Sequence, residues 1–213
     1  MYQKAILFDL DGTLTDSGEG IMKCAQLALS HYGIEVPDFE SLRVFVGPPL
    51  VDSFIRFGVP ESEAMNAVTI YRSRYLTEGK FENFPYPGIE ELLKKLKNNG
   101  HTLYVATSKP ETTSIEILEH FGLAKYFDMI CGATMGTSRS SKASVIAWLL
   151  EQCGRADHII MVGDTAFDVI GAKAHNIPTL GVSWGYGEIK DMEDAGAAAI
   201  AHDMDELYRL LSE

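Results

Sequence analysis

The sequence has little positive charge for its length. Its 213 residues contain 18 Lys and Arg against 30 Asp and Glu, so the formal net charge is −12. Nucleic-acid polymers and anionic membranes are bound by clustered basic residues, and this balance argues against both as partners. A small phosphorylated metabolite is not excluded, because one metal ion and one lysine can reverse the field locally.

Cysteines and long apolar runs are also scarce. The three cysteines, Cys24, Cys131 and Cys153, lie far apart and form no C-x-x-C pair. An odd number cannot pair completely, which favours reduced core residues over a disulfide framework. The amino terminus has no signal-peptide pattern, and no apolar run approaches the roughly 20 residues of a membrane span. These absences predict a cytoplasmic protein without a membrane partner, and they give no indication of the oligomeric state.

Short apolar runs alternate with helical patterns over most of the chain. Runs of this kind are typical of parallel strands covered on both faces. The runs are residues 5–10, 102–106, 129–131, 158–162 and 178–182. The helical patterns are residues 89–98, 110–120, 142–152 and 166–175. The alternation predicts an α/β fold, a doubly wound parallel sheet with a Rossmann-like core.

Residues 18 to about 80 depart from this alternation. They contain helical patterns, at 19–31, 38–45, 50–57 and 61–77, and no strand pattern. Turns at Gly33, Gly47-Pro48-Pro49 and Gly58 separate these patterns. The sequence therefore predicts an all-helical domain, residues 17–81, inserted into an α/β core formed by residues 1–16 and 82–213.

Polar motifs follow, or lie near, the carboxyl ends of the predicted strands, where doubly wound sheets bind ligands. They are Asp9-Leu10-Asp11-Gly12-Thr13, Thr107-Ser108-Lys109, Ser141-Lys142, and Gly163-Asp164 with Asp168 four residues later. Oxygen ligands from Asp9 and Asp164 suit a hard divalent cation. Mg²⁺ is favoured because it accepts few carboxylates and keeps waters and a phosphate oxygen. No His/Cys cluster has the spacing of a zinc site.

This set of side chains is suited to phosphoryl transfer. A carboxylate beside bound Mg²⁺ can attack phosphorus, and a second carboxyl two residues along can protonate the leaving oxygen and later activate water. A threonine hydroxyl and a lysine can hold the phosphoryl oxygens. The residue types thus predict metal-assisted phosphoryl transfer without assigning individual roles.

The motifs resemble, in order, the four motifs of the haloacid dehalogenase superfamily, and the sequence as a whole is most similar to its phosphoglycolate phosphatase-like branch. The helical residues correspond to the superfamily's cap, inserted after the first motif. The resemblance implies a Mg²⁺-dependent phosphatase that hydrolyses a small phosphomonoester through an aspartyl phosphate under a closing cap. Haloalkanoic dehalogenases lack the second aspartate of the first motif, so Asp11 favours phosphoryl chemistry over dehalogenation.

Roles for the acidic residues follow from the same resemblance. Asp9 would be the nucleophile and Asp11 the general acid and base. Mg²⁺ would be bound by the side chains of Asp9 and Asp164 and by the main-chain carbonyl of Asp11. Asp168 would support the metal shell. Asp16 matches none of the motif positions and is interpreted as a polar residue at the start of the insertion.

The resemblance also implies ligands for the phosphoryl group. Thr107 would bind it, with Ser108 as an alternative anchor. Lys142 would steady both the phosphoryl group and the nucleophile, with Arg139 as a possible substitute for it.

Two further cations are weaker candidates for contacts with the substrate. Lys109 would touch the substrate or be solvated beside a helix start. Arg43 would reach a second anionic group of the substrate or be a solvated helix residue. Residues 184–187, Trp-Gly-Tyr-Gly, are interpreted as a packed loop near the sheet edge.

Other functions share these motifs. A phosphosugar mutase of the β-phosphoglucomutase type has the same motifs and helical cap, and it would return the phosphoryl group to a bound sugar. A 5′-nucleotidase would use the phosphatase mechanism on a nucleotide. A non-catalytic sensor domain is the third alternative, and the complete set of motif residues argues against it.

Overall fold

The computed structural model describes residues 3–134, 139–153 and 158–213. The chain divides into two compact units, one formed by Met1–Thr15 with Pro85–Glu213 and the other by Asp16–Phe84. The boundaries predicted for the inserted domain, 17 and 81, lie one and three residues from those of the second unit. That this unit serves as a cap stays a prediction.

The α/β unit is built on a parallel sheet. Numbered along the chain, the strands are β1 (Ala5–Phe8), β2 (Thr15–Asp16), β3 (Phe84–Pro85), β4 (Thr102–Pro110), β5 (Met129–Ala133), β6 (Ile159–Gly163), β7 (Thr179–Val182) and β8 (Ala199–Ala201). Six of them form one sheet in the order β5-β4-β1-β6-β7-β8, with every pair parallel. The two-residue strands β2 and β3 pair with each other where the chain passes between the units.

Helices cover both faces of this sheet. They are α4 (Ile89–Asn98), α5 (Glu111–His120), α6 (Lys142–Cys153), α7 (Ala166–Lys173), α8 (Ile189–Ala195) and α9 (Met204–Ser212). The helices that precede them along the chain, α1 (Gly18–His31), α2 (Leu50–Arg56) and α3 (Ala64–Tyr75), belong to the other unit. Side chains alternate between the faces of a strand. Accordingly Ile6 and Phe8 of β1 pack with leucines of α4 and α9, whereas Leu7 packs with α6 and Ala172 of α7. The predicted doubly wound α/β fold is confirmed.

The predicted core helices begin and end within two residues of α4, α5, α6 and α7. Helix α8, strand β8 and helix α9 of the α/β unit were not predicted. Strand β8 is only Ala-Ile-Ala, a composition with little intrinsic strand preference, and it forms by pairing with β7. Helix α9, in contrast, has a sequence signal: Asp203 caps it by accepting from the Glu206 N–H, and Leu207 and Leu211 give it an i, i+4 apolar stripe.

The second unit is helical. Besides α1, α2 and α3 it contains 3₁₀ helices at Phe39–Phe45, Glu61–Glu63 and Gly79–Phe81, the first two at positions where continuous helix was predicted. Phe45, Phe54 and Tyr71 form its aromatic centre. Among the described residues, no helix of either unit is both long enough and apolar enough to cross a membrane.

Candidate active site

Three neighbouring strands deliver the motif residues to one edge of the sheet. β1 lies between β4 and β6, and Asp9 and Asp164 are the residues that directly follow β1 and β6. Thr107 and Lys109 belong to the last part of β4, which continues four residues beyond its predicted end. Because parallel strands end on the same side of a sheet, these side chains meet there.

Lys142 lies between two carboxylates at this edge. It is the first residue of α6 and only 5% exposed. Its Nζ lies 2.7 Å from Asp9 Oδ1 and 2.7 Å from Asp168 Oδ1, and it donates to the Ala106 carbonyl at 3.0 Å. Burial opposes the charge of this ammonium group, but Asp168 and Asp9 outweigh burial and raise the pKa of Lys142. The predicted contact between Lys142 and the first motif is therefore present.

Asp164 completes a cluster of three buried carboxylates. One oxygen each from Asp9, Asp164 and Asp168 lies within 4.8 Å of the others. Burial, reinforced by repulsion from Asp168 and Asp9, raises the pKa of Asp164 well above its usual range. Burial also raises the pKa of Asp9, although Lys142 opposes the shift. Three carboxylates against one ammonium leave an excess of negative charge, and an oxygen donor set of this kind fits a hard divalent cation.

The acidic residues of the cluster have different partners. Asp168 uses both oxygens within the chain: Oδ1 pairs with Lys142, and Oδ2 accepts from the Thr165 N–H at 3.0 Å and hydroxyl at 2.8 Å. This second set caps the start of α7. Asp164 Oδ1 accepts from the buried Thr13 hydroxyl at 3.2 Å. Asp168 is thus held between Lys142 and the start of α7, and its support of a metal shell stays a prediction.

Asp11 lies two residues beyond Asp9 and has a separate cation. Its Oδ2 pairs with the ammonium group of Lys109. Lys109 is buried, so the alternative that its side chain is solvated beside a helix start is wrong. Lys109 also donates its main-chain N–H to Thr107 Oγ1 at 3.3 Å. Each acid of the first motif therefore has its own lysine: Lys142 pairs with Asp9, and Lys109 pairs with Asp11.

The other predicted site residues differ in their burial and in their partners. Thr107 is buried at the end of β4, and the adjacent Ser108 is exposed. Arg139 pairs with Glu111 at 3.0 Å, while Lys142 takes the position beside Asp9. Arg43 is exposed on the 3₁₀ helix Phe39–Phe45 of the helical unit, and its part in substrate choice stays a prediction.

A loop after β7 holds Asp164, a function that was not assigned to it from the sequence. The Tyr186 N–H donates to Asp164 Oδ2 at 2.9 Å, and the Trp184 indole donates to the Thr13 carbonyl at 3.2 Å. Gly185 lies so close that a Cβ atom there would overlap Asp164 Oδ2 and the Gly12 carbonyl oxygen. A Gly-x-Gly sequence that begins three positions after the predicted strand 178–182 was the available signal.

We expect Gly185→Ala to weaken divalent-cation binding. The new methyl group has to displace Asp164, and changes around a metal ligand typically cost ~10–100-fold in affinity. Calorimetric titration of the metal-free protein with Mg²⁺ measures this directly. Lys190→Ala, which truncates an exposed side chain of α8, is the control. Equal Mg²⁺ affinity in Gly185→Ala and the unmodified protein would contradict the role given to the loop.

The sequence is similar to known proteins over most of its length. A family model described as haloacid dehalogenase-like hydrolase matches residues 6–182. A 5′-nucleotidase of Pseudomonas aeruginosa is 44% identical over 85% of this chain and 83% of its own length. The tyrosine-protein kinase PtkA of Mycobacterium tuberculosis is 41% identical over 97% of this chain and 72% of its own. Phosphoglycolate phosphatases are among the further relatives.

The fold is also similar to that of a solved structure. The crystal structure of a "predicted phosphatase from Clostridium acetobutylicum" superposes with a TM-score of 0.93 and 44% sequence identity. It covers 100% of this chain, and this chain covers 99% of it.

Proposed function

Because this chain belongs to the haloacid dehalogenase-like hydrolase family, we propose that it is a Mg²⁺-dependent phosphatase that hydrolyses small phosphomonoesters through an aspartyl phosphate on Asp9. The observation that carries the proposal is the buried cluster at the end of β1. There a carboxylate next to the Lys142 ammonium group (2.7 Å) lies within 4.8 Å of two further carboxylates. Such a site can hold a cation and present a nucleophile to an anionic group.

The metal would be held by the side chains of Asp9 and Asp164 and the main-chain carbonyl of Asp11, with Asp168 in support. Bound Mg²⁺ neutralises charge on the phosphoryl oxygens and orients the group for in-line displacement. The raised pKa values of Asp9 and Asp164 support this assignment, because burial and mutual repulsion both disfavour the charged carboxylates and a bound cation offsets this cost.

In the first step Asp9 attacks phosphorus. Its Oδ1 carries the bonds from the Leu10 N–H at 2.8 Å and from Lys142, so we assign the attack to Oδ2. The new bond joins Oδ2 to phosphorus while the bond from phosphorus to the leaving oxygen breaks. Asp11 donates a proton to that oxygen, and Thr107, Ser108 and Lys142 would hold the phosphoryl oxygens.

In the second step water replaces Asp9 on phosphorus. Asp11, now a carboxylate, takes a proton from the water as its oxygen attacks, and the bond between Asp9 Oδ2 and phosphorus breaks. Inorganic phosphate leaves, and both acids return to their starting protonation states. Asp9 and Asp11 each take part in both steps, but in different roles. The different roles are consistent with their different partners, Lys142 for Asp9 and Lys109 for Asp11.

The names of the relatives guide the choice of substrate. The 44% identity to a 5′-nucleotidase makes nucleoside 5′-monophosphates the first class to test. The 41% identity to a tyrosine-protein kinase favours a second candidate function, in which the phosphoryl group passes to a tyrosine hydroxyl instead of water. A cytoplasmic location belongs to the same proposal, supported by three cysteines that form no disulfide bond among the described residues.

A substrate panel tests the proposal. The protein is stripped of metal, and release of inorganic phosphate from nucleoside 5′-monophosphates, phosphoglycolate, hexose phosphates and p-nitrophenyl phosphate is measured with and without millimolar Mg²⁺. We expect Mg²⁺-dependent release from at least one class. Phosphorus NMR of the products separates hydrolysis from transfer, because an isomerised sugar phosphate indicates a mutase and a phosphotyrosine indicates a kinase. Mg²⁺-independent turnover, or none across the panel, would contradict the proposal.

A further inference from the structure

We propose that Lys109 is a positioning residue for Asp11. Its ammonium group fixes Asp11 Oδ2 and thereby presents the other oxygen, Oδ1, for proton transfer with the leaving group. The inference rests on the phosphatase mechanism proposed above, and it assigns Lys109 a task other than a contact with substrate.

The geometry around Asp11 distinguishes its two oxygens. Oδ2 pairs with Lys109, a residue 98 positions along the chain. Oδ1 is buried and has no hydrogen-bond partner among the described residues. A buried carboxylate oxygen without a donor is rare, because burial removes its bonds to water. One oxygen is therefore anchored by a cation, and the other is the oxygen without a protein donor, to which we assign the proton.

Lys109 is itself held firmly. Its side chain is 6% exposed and that of Asp11 is 16% exposed, so the pair differs from surface ion pairs, whose long side chains move freely. The Lys109 main chain belongs to β4, and its N–H donates to Thr107 Oγ1. Gly132 of β5 lies against it, since a Cβ at Gly132 would come within 2.6 Å of the Lys109 carbonyl oxygen.

The arrangement gives each acid of the first motif its own cation. Lys142 contacts Asp9 and Asp168, whereas Lys109 contacts Asp11. A single cation shared by both acids would draw their carboxylates together. Two cations on different elements, α6 and β4, hold them apart so that one can attack phosphorus while the other reaches the leaving oxygen.

A balanced proton path follows. The proton moves from Asp11 Oδ1 to the leaving oxygen as the bond from that oxygen to phosphorus breaks. The carboxylate that forms is compensated by the Lys109 ammonium group on Oδ2. The same oxygen, Oδ1, then receives a proton from the attacking water. Lys109 gains and loses no proton in either step.

The leaving group provides the test, since a poor leaving group needs protonation and a good one does not. kcat/KM is measured for alkyl phosphates and for aryl phosphates down to p-nitrophenyl phosphate. General acid catalysis typically contributes ~10²–10⁴-fold. We therefore expect Lys109→Met to lower kcat/KM about 100-fold for alkyl phosphates but less than about 10-fold for p-nitrophenyl phosphate. An equal loss for every substrate would mean that Lys109 binds the phosphoryl group, and would overturn the proposal.

Matched variants exclude a general loss of structure. Lys97→Met removes a lysine from a partly exposed pair with Asp128 and should leave all rates unchanged. Lys109→Arg keeps the cation and should restore part of the alkyl phosphate rate that Lys109→Met loses. Circular dichroism and thermal unfolding are recorded for each variant. Should Lys109→Met not fold, Lys109→Gln is measured in its place against the same expectation.

A double-mutant cycle gives the second readout. Asp11→Asn should show the same steep dependence on the leaving group as Lys109→Met. In the Asp11→Asn background, Lys109→Met should change p-nitrophenyl phosphate hydrolysis by less than about threefold, because residues that act through each other are not additive. Independent, multiplicative losses would overturn the positioning role. Absence of any turnover by the unmodified protein would instead refute the proposed function on which this inference rests.

Discussion

Asp9→Asn is expected to abolish phosphomonoester hydrolysis, with a loss of at least ~10⁴-fold in kcat, because an amide cannot form the covalent phosphoryl intermediate. The substitution preserves the shape of the site. The amide oxygen can still accept from the Leu10 N–H and from Lys142, the two bonds that Asp9 Oδ1 receives now. The loss is therefore chemical and not the result of misfolding.

The measurement is Mg²⁺-dependent release of phosphate by purified protein, accompanied by a thermal unfolding curve. Asp16→Asn is the matched control, since Asp16 belongs to the same acidic stretch but accepts from the Gly18 N–H at 3.3 Å in the helical unit. It should keep turnover within a few-fold of the unmodified protein. Undiminished activity of Asp9→Asn would refute the aspartyl-phosphate mechanism.

Among the proposed variants, Lys142→Met is expected to lower the free energy of unfolding the most. The ammonium group compensates Asp9 and Asp168, and its removal leaves buried carboxylates without a cation. Breaking a buried ion pair by removing one partner typically costs ~3–5 kcal/mol. At about 2–4 °C per kcal/mol for a chain of this size, the melting temperature should fall by roughly 6–20 °C.

Two further variants make that prediction specific. Lys125→Met removes an exposed pair in which Lys125 and Glu90 are 60% and 52% exposed, and such pairs contribute only ~0–1 kcal/mol. Lys142→Met combined with Asp168→Asn should recover part of the lost stability, because one of the uncompensated carboxylates is gone. A melting temperature for Lys142→Met equal to that of Lys125→Met would contradict the electrostatic account.

The sequence predicted where the acidic residues lie and which superfamily they indicate, and the structure and the comparisons confirm the fold and the family. The reason is physical: apolar strands followed by polar motifs leave few ways to build a doubly wound sheet. The same pattern did not reveal the pairing of Lys109 with Asp11. Their contact joins residues 98 positions apart, and strand periodicity carries no information on which lysine faces which acid.

Sequence patterns also did not predict the irregular end of β4 or the contacts of the 184–187 loop. β4 was predicted to end at residue 106, yet it continues to Pro110 through a register shift against β5. This irregular end is what carries Thr107 and Lys109 into the site. The contribution of the 184–187 loop depends on main-chain groups such as the Tyr186 N–H, which every non-proline residue has and which composition therefore cannot identify.

The contacts of Asp168 link the first turns of two helices, which affects how the site can unfold locally. Through Thr165 it caps the first turn of α7, and through Lys142 it is tied to the first residue of α6. If the first turn of α7 frays, Asp168 is released and Lys142 loses one of its two carboxylates. We therefore expect the beginnings of both helices to open together with the carboxylate cluster, as one cooperative unit. Because such an opening would disrupt two packed helices, we expect it to occur more rarely than the motion of a single surface loop.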